Sequence, residues 1–440
     1  MDSERTSTNK CTYTTGRRVP HPRPPPVPST HARALRPSSV PLRVPLPPPP
    51  ESSLPAVLDP KSDRTRAASP TVSCLLATVV TDPSFESTTA SALVAELVDF
   101  AAACRLDYAT TLVAESETTL AALGFTPSTP DPSLFLRTDT SLPPFYVLVY
   151  VDDLVFATAD TKALALVKSE LQKRHTCTDL GELRSYLGLQ ITRDSARSTI
   201  TLTQSHMVHQ VLQRFGFQFS SPQPTPLSTG HSLSAPPSDE SVEPSGPYPE
   251  LVGCLMYLMT CTLPDLAYPL SLLTRYVAPG RHRKVHWDVA KRVLRYLCST
   301  LGMGFVLGGR GPLVFTGYAD ASWVDDSATH RSSQGYTFSL GSISVSWRST
   351  RSSSVLSSSS EAEIYAGAMD AQELHWLTYL LTDLGEQPRS PPQRGQLRLA
   401  YVATRATTAD IFIPALPPGD HQRFSTVLGL VPTLPHLLTV

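Results

Sequence analysis

Two adjacent carboxylates, Asp152 and Asp153, interrupt an otherwise apolar run, FYVLVYVDDLVFATAD, at residues 145–160. Because the flanks are apolar at successive positions, both are expected to be strands buried inside a sheet. The run therefore predicts a hairpin with the two carboxylates at its tip. Aspartate is frequent in turns, where it caps nearby backbone donors, and this is the simpler explanation. Carboxylates at the end of a buried hairpin are costly unless a positive charge neutralises them, as Mg²⁺ would.

The composition narrows the classes to which the chain can belong. Its 440 residues suffice for two or three domains. A net charge of −1 provides no global attraction to nucleic acid, so such a contact would need a local basic patch. The seven cysteines include no C-x-x-C pair, which argues against a zinc site and a disulfide framework. Since neither a signal peptide nor a membrane-length apolar run is visible, we expect an intracellular chain, in cytoplasm or nucleus.

Proline dominates the N-terminal part, with 13 prolines in residues 20–50. Proline has a fixed φ and no backbone donor, so residues 1–75 are predicted to be disordered or polyproline II. Several P-x-x-P spacings suggest a ligand for proline-binding modules, although such spacings arise by chance wherever proline is dense. Residues 84–117 show helical spacing, so the segment 76–118 is expected to be partly helical.

Ordered signals follow from about Leu120 onward. Gly124 is expected to stop a helix, and a strand, the aspartate hairpin and an amphipathic helix at 161–174 come next. The remaining predictions are a strand pair, a helix ending at Gly216, three helical segments within 248–300, three strands within 313–350 and a long helix at 357–385.

The motifs around the paired aspartates resemble, in the same order, the polymerase of copia-type retrotransposons. YVDD followed by LVFAT is similar to the palm metal motif of reverse transcriptases. The other matching stretches are ALGFTPSTPDPSLFLR, TDLGELRSYLGLQI, LVGCLMYLMTCTLPDLAYPLSLL, HWDVAKRVLRYLCSTLGMGF, GYADASWVDDSATHRSSQGYTFSLGSISVSWRSTRSSSVLSSSSEAEIYAGA and ADIF. The resemblance covers roughly residues 119–430. It implies a reverse transcriptase palm followed by a ribonuclease H-like region, with Mg²⁺ as cofactor and RNA/DNA template-primer or RNA–DNA hybrid as partner.

The resemblance also implies the fold class and the domain limits. We expect an α+β chain in which a partial palm with an antiparallel sheet precedes connecting helices and an incomplete ribonuclease H-like α/β domain. The expected regions are the palm at 119–225, a Pro/Ser-rich linker at 226–249, connecting helices at 250–312, the N-terminal part of the ribonuclease H-like domain at 313–385 and a residual C-terminal part at 386–440.

By the same resemblance, Asp320 in YADASW, Glu361 in SSSSEAE and Asp410 in TTADIF match metal-binding carboxylates of ribonuclease H. Together with the hairpin pair they are the candidate catalytic and metal-binding residues. Asp320 follows an apolar run and is expected in a strand interior facing a cleft. Glu361 is expected to open a helix with Ser360 as N-cap, and ordinary capping is its alternative role.

Asp325 and Asp326 are interpreted as a solvated turn.

Both ligand sets lack members that the family has. Asp99 lies in a helical pattern, and Asp107 in CRLDYATTL lacks the motif that follows the family's upstream palm aspartate. A junction is expected at residues 117–119, and after Pro392 the third ribonuclease H aspartate and its strand are missing.

These gaps predict a catalytically inactive fragment of a retrotransposon polyprotein, because a two-metal site that loses one ligand loses its geometry. The lost strands are expected to leave exposed sheet edges and a risk of aggregation. The alternative function is a non-enzymatic interaction or scaffold protein that uses the proline-rich tail.

The most basic ordered segment is RHRKVHWDVAKRVLRYL, residues 281–297. Phosphate contact and a solvated helix face are about equally compatible with its basic residues, and salt-dependent binding would distinguish them. The basic residues are Arg281, Arg283, Lys284, Lys291, Arg292 and Arg295. The residues expected to face a core are Trp287, Val289, Val293, Leu294 and Leu297.

Overall fold

The computed structural model describes residues 11–13, 102–106, 112–139, 141–230, 233, 247–308, 315–326, 329–385, 399–402 and 406–433. All of these belong to one compact unit formed by residues 1–14 and 69–440. The P-x-x-P stretch, Asp99 and Asp107 lie outside the described residues, so the predictions made for them are not tested by the fold.

The described residues combine helices with antiparallel sheets, which agrees with the expected α+β class. The strands are β1 (Cys11–Tyr13), β2 (Ala102–Leu106), β3 (Phe125–Pro127), β4 (Leu134–Arg137), β5 (Phe145–Tyr150), β6 (Asp153–Thr158), β7 (Cys177–Glu182), β8 (Ser185–Tyr186), β9 (Leu189–Asp194), β10 (Thr199–Thr203), β11 (Met303–Gly308), β12 (Phe315–Asp326), β13 (Arg331–Leu340), β14 (Ile343–Arg351), β15 (Leu399–Tyr401) and β16 (Leu430–Pro432).

The helices lie mainly between the sheets in chain order. They are α1 (Leu112–Ala122), α2 (Thr161–Arg174), α3 (Ser205–Arg214), α4 (Tyr248–Cys261), α5 (Ala267–Leu273), α6 (Lys284–Ser299), α7 (Ser359–Asp383) and α8 (Pro418–Val427). Short 3₁₀ turns occupy Pro264–Leu266, Thr274–Tyr276 and Thr408–Phe412. Within the described ranges, no helix combines the length and apolar character needed to cross a membrane.

The first sheet has six strands in the order β3-β4-β5-β6-β2-β7, each antiparallel to its neighbours. Its central hairpin, β5 and β6, is buried on both faces, as the apolar run predicted. Phe145 and Phe156 meet edge to face, 6.3 Å between ring centroids, above Val167 and Leu171 of α2. Helix α2 begins where predicted, because Asp160 accepts a hydrogen bond from the amide of Ala163 at 2.9 Å.

Two further five-stranded sheets complete the unit, in the orders β16-β11-β10-β9-β8 and β14-β13-β12-β1-β15. One apolar cluster joins residues of all three sheets to the connecting helices. It includes Leu148 of β5, Leu202 of β10, Leu255 of α4, Leu294 of α6 and Phe338 of β13. Each fully buried side chain of this size contributes about 1.5–3 kcal/mol, so this shared cluster is the main reason that the regions pack together.

The C-terminal end of α7 packs against the back of the first sheet. Leu380 and Leu384 share a cluster with Leu134 and Tyr146, and the Tyr146 hydroxyl donates to the Leu384 carbonyl at 2.9 Å. The indole N–H of Trp376 donates to the Pro130 carbonyl at 2.9 Å. The helix of the third sheet is thereby anchored on the first sheet.

Several sequence expectations are corrected by the fold. Residues 102–106 are a strand, not part of a helix over 84–117, and residues 11–13 are a strand within the region expected to be disordered. Strand β11 lies near the C-terminal end of the region 250–312, where only connecting helices were expected. In the expected linker, Leu233 is buried and its carbonyl accepts from the Tyr276 hydroxyl at 2.8 Å. These differences share one cause, because tertiary partners decide the conformation of short segments with weak local patterns.

Exposed sheet edges were expected in this chain. At β6 and at β12, however, the edge is paired with another strand. Strand β2 lies along β6, and β1 lies along β12. Both therefore bring backbone donors and acceptors to strands that would otherwise be edges.

Candidate functional site

The aspartate hairpin has a two-residue turn. Tyr150, the last residue of β5, is directly opposite Asp153, the first of β6, so Val151 and Asp152 form the turn. Val151 has φ +53 and Asp152 is partly buried, as is Asp153. The structure thus confirms that Asp152 and Asp153 lie at the tip of a buried hairpin.

Val151 is a strained residue at this tip. A positive φ is unusual for any residue with a Cβ and most unusual for a β-branched one. Such a conformation costs on the order of 1–3 kcal/mol. Its side chain is 48% exposed, so apolar packing does not provide the compensation. The strained residue directly precedes Asp152 and Asp153 in the chain.

The strand next to the tip is β2. Arg105 of β2 lies directly opposite Asp153, and the strand ends at Leu106. The residue that follows β2 is Asp107. It lies outside the described residues. Among the residues that are described, no group of three His, Cys, Asp or Glu side chains could hold a metal ion.

Asp320 occupies the interior of β12, as predicted, but it faces no open cleft. It is fully buried, and its Oδ1 accepts from the amide of Ala321 at 2.9 Å. Asp320 is opposite Gly335 of β13, and the Gly335 Cα lies so close to Phe412 that an added Cβ would be 2.4 Å from the Phe412 Cβ. The turn Thr408–Phe412 therefore covers this face of the sheet, and the expected cleft is closed.

Asp410 belongs to that covering turn and is itself buried. The structure consequently places the segment carrying Asp410 on the same face of the sheet as Asp320. The Ser349 hydroxyl of β14 donates to the Phe412 carbonyl at 2.6 Å, which fixes the turn against the sheet.

Glu361 lies on the helix that packs against the opposite face. Ala321 points away from the Asp320 side and clusters with Ala362 and Ala366 of α7. Glu361 is exposed, and its Oε2 accepts from both the amide and the hydroxyl of Ser357, each at 2.6 Å. Its first-turn position is confirmed, and its side chain takes part in helix capping.

The N-cap of this helix is Ser358, so the prediction of Ser360 was wrong. The Ser358 hydroxyl accepts from the Glu361 amide at 3.1 Å, which with the Glu361–Ser357 contacts makes a variant of the capping box. Hydrogen bonds from the Ser357 hydroxyl and amide lower the pKa of Glu361. The reason for the error is that any of four consecutive serines could have served as N-cap by sequence.

Two buried carboxylates of α7 were missed by the sequence reasoning. Glu363 is 7% exposed and Asp370 is fully buried, on the side of the helix that also carries Ala362 and Ala366. Nearby, the Ser346 hydroxyl of β14 donates to Glu373 at 2.7 Å. The available signal was the recurrence of small and acidic residues at helical spacing, which marks a buried polar face.

Asp325 and Asp326 lie in β12 and not in a turn, and Asp325 is exposed whereas Asp326 is partly buried. Asp326 accepts from Arg275 at 3.2 Å and from Arg351 at 2.5 Å. Asp325 accepts from the amide and the hydroxyl of Ser333, each at 2.6 Å. A register shift between Ser322 and Asp326 bends the strand there and turns both carboxylates toward these donors.

The basic segment on α6 has an apolar face and a charged face. Val289, Val293, Leu294 and Leu297 are buried as predicted, and Trp287 is partly buried against the same cluster.

On its charged face, several cations already have protein partners. Asp288 pairs with Lys284 at 3.2 Å and with Lys291 at 2.6 Å. Arg292 donates to the Thr225 hydroxyl at 3.0 Å, while Arg281 and Arg295 are exposed. The charge available to a phosphate is therefore smaller than the sequence suggested.

The described residues do not fit a complete two-metal site at either location. The hairpin offers Asp152 and Asp153, and the third sheet offers Asp320 with Asp410 on one face and Glu361 across it. Mg²⁺ prefers one or two protein carboxylates together with substrate phosphates and water. A single weakly held Mg²⁺ at the hairpin is compatible with this donor set, but a clamp of two ions needs a further ligand.

Comparisons with known proteins find similarity to reverse transcriptases and to retrotransposon Pol polyproteins. The family model described as reverse transcriptase (RNA-dependent DNA polymerase) matches residues 107–229. The chain is 34% identical over 261 residues to the retrovirus-related Pol polyprotein from transposon TNT 1-94 of Nicotiana tabacum, covering 58% of this chain and 19% of that protein.

Two further relatives extend the likeness. The retrovirus-related Pol polyprotein from transposon RE2 of Arabidopsis thaliana is 31% identical over 358 residues, covering 73% of this chain and 24% of that protein. The protein named "Putative transposon Ty5-1 protein YCL074W", from Saccharomyces cerevisiae, is 32% identical over 257 residues, covering 58% of this chain and 82% of that protein. The chain thus spans about a quarter or less of the two Pol polyproteins. No solved structure matches it significantly.

Proposed function

Because this chain belongs to the Pol family of copia-type retrotransposons, we propose that it is a reverse transcriptase and ribonuclease H fragment that has lost both catalytic activities. The family's general function is RNA-directed DNA synthesis, for which its members generally use Mg²⁺. The loss of activity is proposed for this chain alone.

The observation that carries the proposal is the placement of Glu361. Its carboxylate accepts two hydrogen bonds from Ser357 at the start of α7, across the sheet from the turn that carries Asp410. An ion held at Asp320 and Asp410 would have to draw Glu361 away from those donors. Since in-line displacement by two metals needs all ligands in place, hybrid cleavage is not expected.

The proposed loss of polymerase activity rests on the hairpin that carries Asp152 and Asp153. Asp152 and Asp153 are positioned at a tight turn, where they could attract one Mg²⁺ together with a nucleotide's phosphates. Among the described residues no third carboxylate lies with them, and without one the nucleophilic oxygen and the leaving oxygen would not be held by two ions at once. We therefore expect cation and nucleotide binding that is weak, and no template-dependent synthesis.

Primer extension tests the polymerase half. The full chain with a primed RNA template, deoxynucleotides and Mg²⁺ or Mn²⁺ is expected to add no nucleotides. Asp152→Asn is the matched variant, and Asp139→Asn removes an exposed carboxylate on a loop as the control. Synthesis that survives Asp139→Asn and disappears with Asp152→Asn would show that the polymerase site is intact and the proposal wrong.

Cleavage of an RNA–DNA hybrid tests the other half. We expect no specific cleavage by the full chain. If cleavage is found, Glu361→Gln and Glu363→Gln identify its source, because Glu363 is the other carboxylate near the start of α7. Loss of cleavage with either variant, while Glu170→Gln leaves it unchanged, would contradict the proposed inactivity.

Nucleic acid is the partner that the family suggests, and we propose that residual binding uses Arg281 and Arg295, which are exposed. Filter binding of a hybrid across a range of salt concentrations is expected to give a negative slope on logarithmic axes. Each lost phosphate contact should reduce the magnitude of the slope by about 0.9 for a duplex, so Arg281→Ala with Arg295→Ala should reduce it further than Arg174→Ala. Binding that is indifferent to salt would rule out this surface.

A further inference from the structure

The two strands that lie before the region matched by the reverse transcriptase family both occupy interior sheet positions. Strand β2 lies between β6 and β7 and is antiparallel to both, with Ala102 opposite Phe156 on one side and Glu182 on the other. In the sheet order, β7 has β2 as its neighbour. Removing β2 would therefore separate β7 and expose the long edge of β6, which begins at Asp153.

Strand β1 has the corresponding position in the third sheet. Cys11 lies opposite Ala319 of β12 on one side and opposite Tyr401 of β15 on the other. It is antiparallel to both neighbours and joins β15 to the rest of the sheet. Without it, β12 would present an unpaired edge next to Asp320.

Because each of these short strands pairs on both sides, its loss would disrupt more backbone hydrogen bonds than its length suggests. An interior strand satisfies donors and acceptors on two sides, so its loss leaves two rows of unpaired groups. Unpaired edges recruit strands from other molecules and lead to aggregation. This inference rests on the proposed function, in which the fragment has lost family segments, so that other segments are needed at these two positions.

We propose that Cys11–Tyr13 and Ala102–Leu106 act as replacement strands that complete the two sheets within the same molecule. The upstream part of the chain then has a structural function of its own, which does not depend on any catalytic activity. The occupant of each position is a segment of this chain, and a second copy that supplied the same strands would be the competing arrangement.

Native cysteines make the placement directly testable in the full chain. Residues directly opposite in an antiparallel pair have Cα atoms about 4.5–5.5 Å apart, which suits a disulfide. Ala319→Cys introduces a thiol at the register position opposite native Cys11, and Asp179→Cys does so opposite native Cys104. Tyr318→Cys and Thr178→Cys are the matched controls, because neighbouring residues on a strand point to opposite faces.

After mild oxidation, peptide mapping of the Ala319→Cys variant is expected to find a disulfide between Cys11 and the cysteine introduced at position 319. In the Asp179→Cys variant we expect the corresponding link between Cys104 and the cysteine introduced at position 179. Both links should lie within one chain and exceed those at the control positions at least tenfold.

Equal linking at the control positions, or none at the opposite ones, would overturn the proposal. Links that join two chains would overturn the placement within one molecule and support exchange of strands between copies.

Hydrogen exchange gives a second measurement that needs no disulfide. Cys104→Pro and Thr12→Pro each remove a backbone donor, whereas Cys104→Ala and Thr12→Ala keep it. We expect Cys104→Pro to speed exchange in β6 and β7 at least tenfold, and Thr12→Pro to do so in β12 and β15, with the alanine variants unchanged. Unchanged exchange in the proline variants would show that these strands do not complete the sheets.

Discussion

Glu361 Oε2 accepts hydrogen bonds from the amide and the hydroxyl of Ser357, both at 2.6 Å. The carboxylate thereby stabilises the start of α7, the helix whose other end packs on the first sheet through Trp376. A residue that family resemblance assigns to a metal site is thus a helix-capping residue in this fold.

Ser358→Ala should lower the free energy of unfolding by about 1 kcal/mol, because it removes the N-cap acceptor of α7. Urea titration followed by circular dichroism measures the change. Ser354→Ala is the control, since it removes an exposed hydroxyl before the helix. Equal effects of the two variants would contradict the capping geometry.

Glu361→Gln should also destabilise α7, by less than Ser358→Ala, because glutamine can still accept from Ser357. The folded-state pKa of Glu361 is lowered by Ser357, so its contribution is full above the unfolded value of 4.5 and is lost as pH falls below it. Melting curves of wild type and Glu361→Gln should therefore converge at acid pH. A constant gap between them would show that the charged form is not the capping form.

Val151→Gly should raise the free energy of unfolding by up to about 1 kcal/mol. Glycine adopts a positive φ without strain, which outweighs its larger entropy loss on folding. Val147→Gly is the matched variant in the adjoining strand, where a fully buried side chain is lost and stability should fall by several kcal/mol, on the order of other large core truncations. A destabilising Val151→Gly would mean that the exposed side chain makes a contact that outweighs the strain.

Stability should decrease as pH falls from 6.5 toward 4 because of His286. Burial lowers the pKa of this imidazole to about 4, and its Nδ1 accepts from the Arg283 amide at 2.8 Å. Because the folded pKa lies below the unfolded value of 6.5, the stabilising contribution is full above pH 6.5 and is lost as pH falls toward 4. Thermal melts of His286→Gln should show a weaker acid dependence than those of His209→Gln, an exposed control.

Tyr296→Phe should cost about 1–3 kcal/mol, because the Tyr296 hydroxyl donates to the fully buried carboxylate of Asp265. Burial raises the pKa of Asp265 and lowers that of neighbouring His421 on α8. Tyr276→Phe removes a hydroxyl that donates to a backbone carbonyl in a partly buried site, and it should cost less. Denaturant titration of both variants measures their losses in the free energy of unfolding. Equal losses would argue against a special role of the Asp265 contact.

The sequence by itself determined the elements with strong local patterns. The run around Asp152 and Asp153 specified a buried hairpin, and the segment 161–174 specified an amphipathic helix. These signals lie within one element, where periodicity and capping are set by neighbouring residues. The ordered motifs likewise identified the family before any tertiary contact was considered.

Only the tertiary structure decided which distant segments pair. Ala102–Leu106 has no strong strand pattern in its sequence, and it forms a strand by pairing with β6 on one side and β7 on the other. The burial of Glu363 and the engagement of Glu361 by Ser357 depend on how α7 rests against β12 and on which serine begins the helix. Pairing and burial are set by contacts between residues far apart in the chain, and a local pattern cannot encode their partners.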